Sequence, residues 1–210
     1  MSVIKVISLF EPRTDPNGIY INTTSKVDAD QQRDLSPFYL GPCDLYDGHT
    51  ALRMENAWQF SKVYLQHTDD ENNPTDGYWE WAKKGWADNK AHRYPMGKGI
   101  LPEYSYWEDQ KYPYIEARKK IYVPLYARAV KKTKIFQFLK DLHQDLCAFN
   151  QVAAPEKHGT IYLLDYDAYR HEEMGMTLTQ VLNNKTKKSG HAFVLMMLLT
   201  NDDALKQCSI

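Results

Sequence analysis

In ALRMENAWQFSKVY, residues 51–64, apolar side chains recur at helical spacing, and the pattern predicts one amphipathic helix interrupted by Glu55, Gln59 and Lys62. At about 100° per residue, offsets of four and seven return to nearly the same azimuth, so the three polar residues form one stripe. Such a stripe is either a solvated face supported by a Glu and Lys pair or the wall of a pocket. Asn56 and Trp58 flank it.

The rest of the pattern predicts a helix-dominated chain with a few short strands, mainly α within an α+β fold. VIKVISLF (3–10) alternates like a strand, EPRTDPNG is turn material, and IYIN (19–22) reads as its hairpin partner. SKVDADQQRDL (25–35) is a polar loop. LSPFYLGPCDLYDGH (35–49) is extended or turning and should bring Ser36 and Phe38 close to the helix. YWEWAKKGWADNKAHR (78–93) has Trp79, Ala82 and Trp86 at helical offsets. The aromatic stretch 94–113 reads as a long irregular segment of the kind that often carries function. Residues 114–152 are helical by period, with Ile121, Leu125 and the group from Phe136 to Leu142 inward, Pro124 kinking or dividing the run and Thr133 starting its second part. GTIYLLDYDAY (159–169) is β-rich and ends in Asp165 and Asp167. TLTQVLNNK is a short helix, and Ser189 is the expected N-cap of a buried terminal helix containing AFVLMMLL (192–199).

Composition narrows the function more than the fold. A chain of 210 residues reads as a single domain, 1–210, able to bury its own core. With 26 basic against 27 acidic residues, no global attraction to polyanions or membranes is expected, so any phosphate site must be local. The basic runs KKTK (131–134) and KTKK (185–188) read as solvated helix ends. No apolar run is long enough to span a bilayer. The N-terminus lacks signal-peptide character, and three well-separated cysteines suit a reducing, cytoplasmic setting. The 13% aromatic content, most of it tyrosine, suits a surface that stacks and hydrogen-bonds a ligand.

No phosphate-binding glycine loop, dinucleotide fingerprint, serine-hydrolase elbow or metal-ligand spacing occurs. The sequence therefore implies neither cofactor nor metal. What remains is a set of carboxylates, Glu55, Asp165 and Asp167, beside the tyrosine-rich segment. Glycosidic hydrolysis requires a carboxylate to activate water or steady an oxocarbenium-like sugar, and two carboxylates from distant segments meet that need. Lys62, Arg93 and Arg170 are ordinary surface cations unless pooled near one pocket, where they would bind phosphate.

The order of these segments resembles the NADAR, or YbiA-like, family of N-glycosidases over residues of about 35–200, with 1–34 as an N-terminal strand and hairpin extension. LSPFYLGPCDLYDG resembles the family's Ser-Asn-Phe segment and Asp-Gly turn. RMENAWQFSKVY resembles its signature helix, with Glu55, Gln59 and Lys62 all matching. NKAHRYPMGKG is similar to an Ala-Arg-x-x-Gly segment, and YIEARKKIYVPLYARAV to a Trp-x-x-x-Lys helix with Tyr114 and Arg118 at those positions. LLDYDAYRHEEMG resembles the Asp-Ala-Tyr-Trp-Gly segment, and SGHAFVLMMLL the closing helix. The chain departs from the pattern at Pro37, Asn56, Tyr114, Arg170 and Ser189, positions that shape the pocket rather than supply its carboxylates.

The resemblance implies a single-domain multihelical fold and catalysis by Glu55 and Asp167. Ser36, Phe38, Asn56, Gln59, Lys62, Arg93, Tyr114 and Arg170 would bind substrate, and Trp107 is the alternative stacking residue. It implies hydrolysis of a ribose–base C–N bond in an ADP-ribose-like or phosphoribosyl compound. The leading substrate is ADP-ribosylated guanine in DNA or nucleotide, which would suit defence against ADP-ribosylating toxins. Phosphoribosylated riboflavin-pathway intermediates are the alternative substrate, and a non-catalytic ADP-ribose or nucleotide-binding module is the alternative class.

Overall fold

The computed structural model describes residues 3–27 and 30–210, so the polar loop read at 25–35 lies in part outside the described residues. In chain order the elements begin with β1 (Ile4–Ser8), β2 (Gly18–Asn22), α1 (Asp30–Arg33), β3 (Cys43–Asp44), β4 (Thr50–Ala51), α2 (Met54–Gln59), β5 (Lys62–Val63) and α3 (Asp76–Trp86). They continue with β6 (Tyr104–Trp107), β7 (Gln110–Tyr112), α4 (Tyr114–Ala117), α5 (Val123–Val130), α6 (Lys134–Val152), β8 (Thr160–Asp165), α7 (Leu178–Leu182) and α8 (His191–Thr200). Helix makes up about 40% of the chain and strand about 15%, which defines a mixed α+β fold. Among the described residues no helix is long and apolar enough to cross a membrane.

The chain divides into two compact units. One is discontinuous, Met1–Ser36 with Val130–Cys208 and Ile210; the other is continuous, Pro37–Ala129, apart from the single residue Ser209. The discontinuous unit is built on β8, which pairs in parallel with β1 on one side and β2 on the other, Ile4 opposite Ile161 and Gly18 opposite Thr160. The expected hairpin of the first two strands therefore does not form, because β8 lies between them. After its first residue every position of β8 is buried, as a parallel strand covered on both faces requires. The nearly uniformly apolar α8 is buried around most of its circumference, in contact with β1 and β8. Its N-cap is Gly190 rather than Ser189. Thr133 does cap α6, accepting a hydrogen bond from the Phe136 amide. Phe136 and Leu139 face inward from that helix, whereas Phe138 is exposed.

In the continuous unit, α2 is shorter than its amphipathic pattern predicts. The run ends at Gln59 because the next residues are claimed by strand pairing: Lys62 pairs with Ser105 and Val63 with Tyr104. Side chains close the helix end, the Ser61 hydroxyl donating to the Trp58 carbonyl and the Tyr78 hydroxyl to the Phe60 carbonyl. The segment read as irregular at 94–113 contains the β6–β7 hairpin. Its two-residue turn, Glu108–Asp109, has positive φ at both positions, and Asp109 accepts a bond from the Tyr106 hydroxyl. Between α4 and α5 the backbone widens into a π-helical turn, Arg118–Tyr122, just before Pro124. A proline there lacks an amide hydrogen and crowds the carbonyl four residues back, which is Lys120 inside the widened turn. Ile121 and Leu125 face inward as expected.

Burial holds His67, His143 and His171 below the ordinary histidine value of 6.5. The unfolded chain therefore binds more protons than the folded one just below that value, and stability falls as pH drops through it. Thermal unfolding followed at pH 7.5, 6.5 and 5.5 should show this decline. His67 packs on Trp81 at 4.7 Å, and its Nδ1 has no hydrogen-bond partner among the described residues. His67→Phe keeps an aromatic ring there and is expected to flatten part of the pH slope.

Candidate functional site

Backbone carbonyls from the segment before α2 satisfy the first donors of that helix. The Met54 amide donates to Leu40 at 2.8 Å and the Glu55 amide to Pro37 at 2.9 Å. Arg53, at the N-cap, donates to the carbonyls of Tyr39 and Asn89 and to the Asn89 side chain. All six residues of α2 are buried, Glu55 to 5% exposure. The polar stripe is thus not a solvated helix face.

A buried carboxylate needs donors, and the stripe supplies one directly. Gln59 Nε2 donates to Glu55 Oε1 at 2.9 Å, and Lys62 Nζ donates to Gln59 Oε1 at 2.7 Å. Lys62 belongs to β5 rather than α2, so strand pairing as well as helical azimuth brings the three together. Its ammonium also lies 4.9 Å from the centre of the Trp58 ring, which packs edge-on against Tyr122.

The remaining expected residues of this unit divide by exposure. Asn56 donates to the carbonyls of Asp88 and Lys90 and accepts from the His92 amide, so its amide clamps the loop that leads to Arg93. This structural task was not legible from the residue type alone. Arg93 is half-buried, with its guanidinium 5.5 Å from the Tyr94 ring centre. Trp107 is buried edge-on against Tyr46 at 4.8 Å, part of a cluster with Trp79 and Trp86, which removes it as an open stacking surface. Tyr114 is 50% exposed, with the guanidinium of buried Arg118 4.7 Å from its ring centre. Phe38 is half-buried.

The other expected residues belong to the discontinuous unit. Ser36 is buried there, its amide donating to the Arg33 carbonyl. Asp165, at the end of β8, is 4% exposed and lies 3.2 Å from His191 Nδ1, with the Ala192 amide at 3.4 Å. His191 Nε2 is 2.7 Å from the Thr23 carbonyl. Asp165 therefore serves the start of α8, supplying from a distance the acceptor that Gly190 lacks. Asp167 is more open, with Lys188 Nζ at 3.7 Å. Arg170 is engaged by Glu11 and Glu173, an arrangement that balances its charge locally.

A Cβ on Gly190 would lie 2.2 Å from Asp165 Oδ2. That oxygen is buried and anchored, so it cannot swing aside without disturbing His191 and Ala192. Gly190→Ala is expected to cost about 1–3 kcal/mol, the usual scale of overpacking, and unfolding in urea measures it. Comparison of the chain with family models, with curated proteins and with solved structures finds no match.

Proposed function

We propose that the protein is an N-glycosidase that hydrolyses the bond between a ribose and a nitrogen base, with Glu55 as its general base. The observation that carries this reading is the buried Glu55 carboxylate, held by the Gln59 amide and flanked by Lys62 and Trp58. The motif order around that helix supplies the reaction class. The substrate is an ADP-ribose-like or phosphoribosyl compound, foremost ADP-ribosylated guanine in DNA or nucleotide.

In this reaction Glu55 takes a proton from water as the water oxygen bonds to the anomeric carbon of the ribose. The C–N bond breaks, its electron pair goes to the base nitrogen, that nitrogen takes up a proton from solvent, and Glu55 releases its own proton to solvent to regain the carboxylate. Tyr114, half exposed above the Arg118 guanidinium, is the stacking surface for the leaving base. Arg93 is the cation for phosphate.

Incubating the protein with ADP-ribosylated guanine DNA, and separately with a phosphoribosylated aminopyrimidine, should release a product resolved by chromatography. Glu55→Gln should lower turnover by about 10²–10⁴-fold, the usual contribution of a general base. Cleavage of neither compound, or equal activity in the variant, overturns the reading. Ligand-dependent thermal stabilisation that persists in Glu55→Gln without release of base would instead assign a binding module.

A further inference from the structure

We propose that Gln59 and Lys62 are positioning residues for Glu55, forming a directional hydrogen-bond relay from Lys62 through Gln59 to Glu55, rather than contacts to the substrate. The proposal rests on the glycosidase reading for its catalytic consequence, but the relay itself is a property of the substrate-free protein.

The direction follows from hydrogen-bond capacity. An ammonium only donates, so the atom of Gln59 that faces Lys62 Nζ at 2.7 Å is the carbonyl oxygen Oε1. The amide nitrogen must then face Glu55, where it donates to Oε1 at 2.9 Å. An oxygen meeting that N–H must accept, so the relay suits the ionised carboxylate and opposes a proton at this oxygen. It also fixes the carboxylate plane, since one oxygen is tied to an amide that is itself tied at its other end.

Two further features hold the relay. Lys62 is anchored by its β5 pairing opposite Ser105 and by the Trp58 ring 4.9 Å away, so its ammonium does not depend on Gln59 for its place. Gln59 is buried in the last position of α2 and can contribute its amide only within reach of that helix. Without the lysine the amide loses the partner that specifies its orientation, and either end can turn toward Glu55. A general base displaced or rotated by about 1 Å costs on the order of 10²-fold in rate.

Steady-state kinetics on whichever probe compound turns over separates this role from substrate binding. Gln59→Leu and Lys62→Met should each lower kcat by about 10–10²-fold while KM stays within about twofold, because ground-state contacts to substrate are unchanged. The double variant should be no slower than the slower single variant, since either change breaks the same relay. A rise in KM with kcat preserved, or losses that multiply in the double variant, overturns the proposal. Thermal unfolding of both variants identifies one that fails to fold, and Lys62→Met, at a half-buried position, keeps the test decisive if Gln59→Leu does.

A substrate-free readout separates failure of the relay from failure of the glycosidase reading. In ¹H–¹⁵N spectra the Gln59 side-chain amide resonances should shift in Lys62→Met as well as in Glu55→Gln. Unchanged resonances in Lys62→Met overturn the relay whatever the enzymatic result. Shifted resonances with no turnover of either probe compound sustain the relay while overturning only the glycosidase.

Discussion

A carboxylate withdrawn from water must be supplied with donors, and the continuous unit is organised around meeting that demand for Glu55. Placing Gln59 one turn along α2 brings an amide within reach. That amide in turn requires a donor on its carbonyl side, and the early end of the helix lets the chain re-enter as β5 with Lys62 in the right place. Continuing the helix through Lys62 would preserve the azimuth but forfeit the pairing with β6. The close approach of α3 protects this junction, since a Cβ at Gly85 would lie 2.1 Å from the Phe60 ring at the helix C-cap.

The discontinuous unit solves a related problem by different means. Asp165 is also buried, yet its partners are an imidazole and the amide of α8 rather than a neutral side-chain amide. It stands at the end of β8 in register with Ser8 of β1, and its carbonyl accepts from the Leu9 amide, so its backbone is held by that ladder. Asp165 thus resembles a structural anchor. Asp167, two residues on, is half-buried with a lysine at 3.7 Å. The strand ends at Asp165, and the turn that follows carries Asp167.

Much of this was legible from periodicity and local chemistry. The strand character of residues 3–10, the β-rich stretch 159–169, whose strand stops at Asp165, the helical runs on either side of residue 133 and the nearly uniformly apolar terminal helix all follow from the side-chain pattern. What escaped was set by distant partners. The pairing of β1 and β2 with β8 depends on residues separated by most of the chain, and the β6–β7 turn uses Glu108–Asp109 at positive φ where Asn-Gly would have announced itself. In the candidate site, the azimuth of Glu55 and Gln59 could be read, but the hydrogen bond from Lys62 comes from a strand. Neither the loop clamp made by Asn56 nor the burial of Trp107 has a signature in residue type.

The placement of β8 between two strands from the beginning of the chain also bears on the order of assembly during synthesis. The stretch that carries Glu55 is continuous and complete once Ala129 has left the ribosome, so it can consolidate early. The parallel sheet cannot close until Asp165 has been made, and until then β1 and β2 lack the partner that satisfies their backbone groups. Nascent chains of this protein consequently pass through a long interval in which β1 and β2 are made but still unpaired by β8.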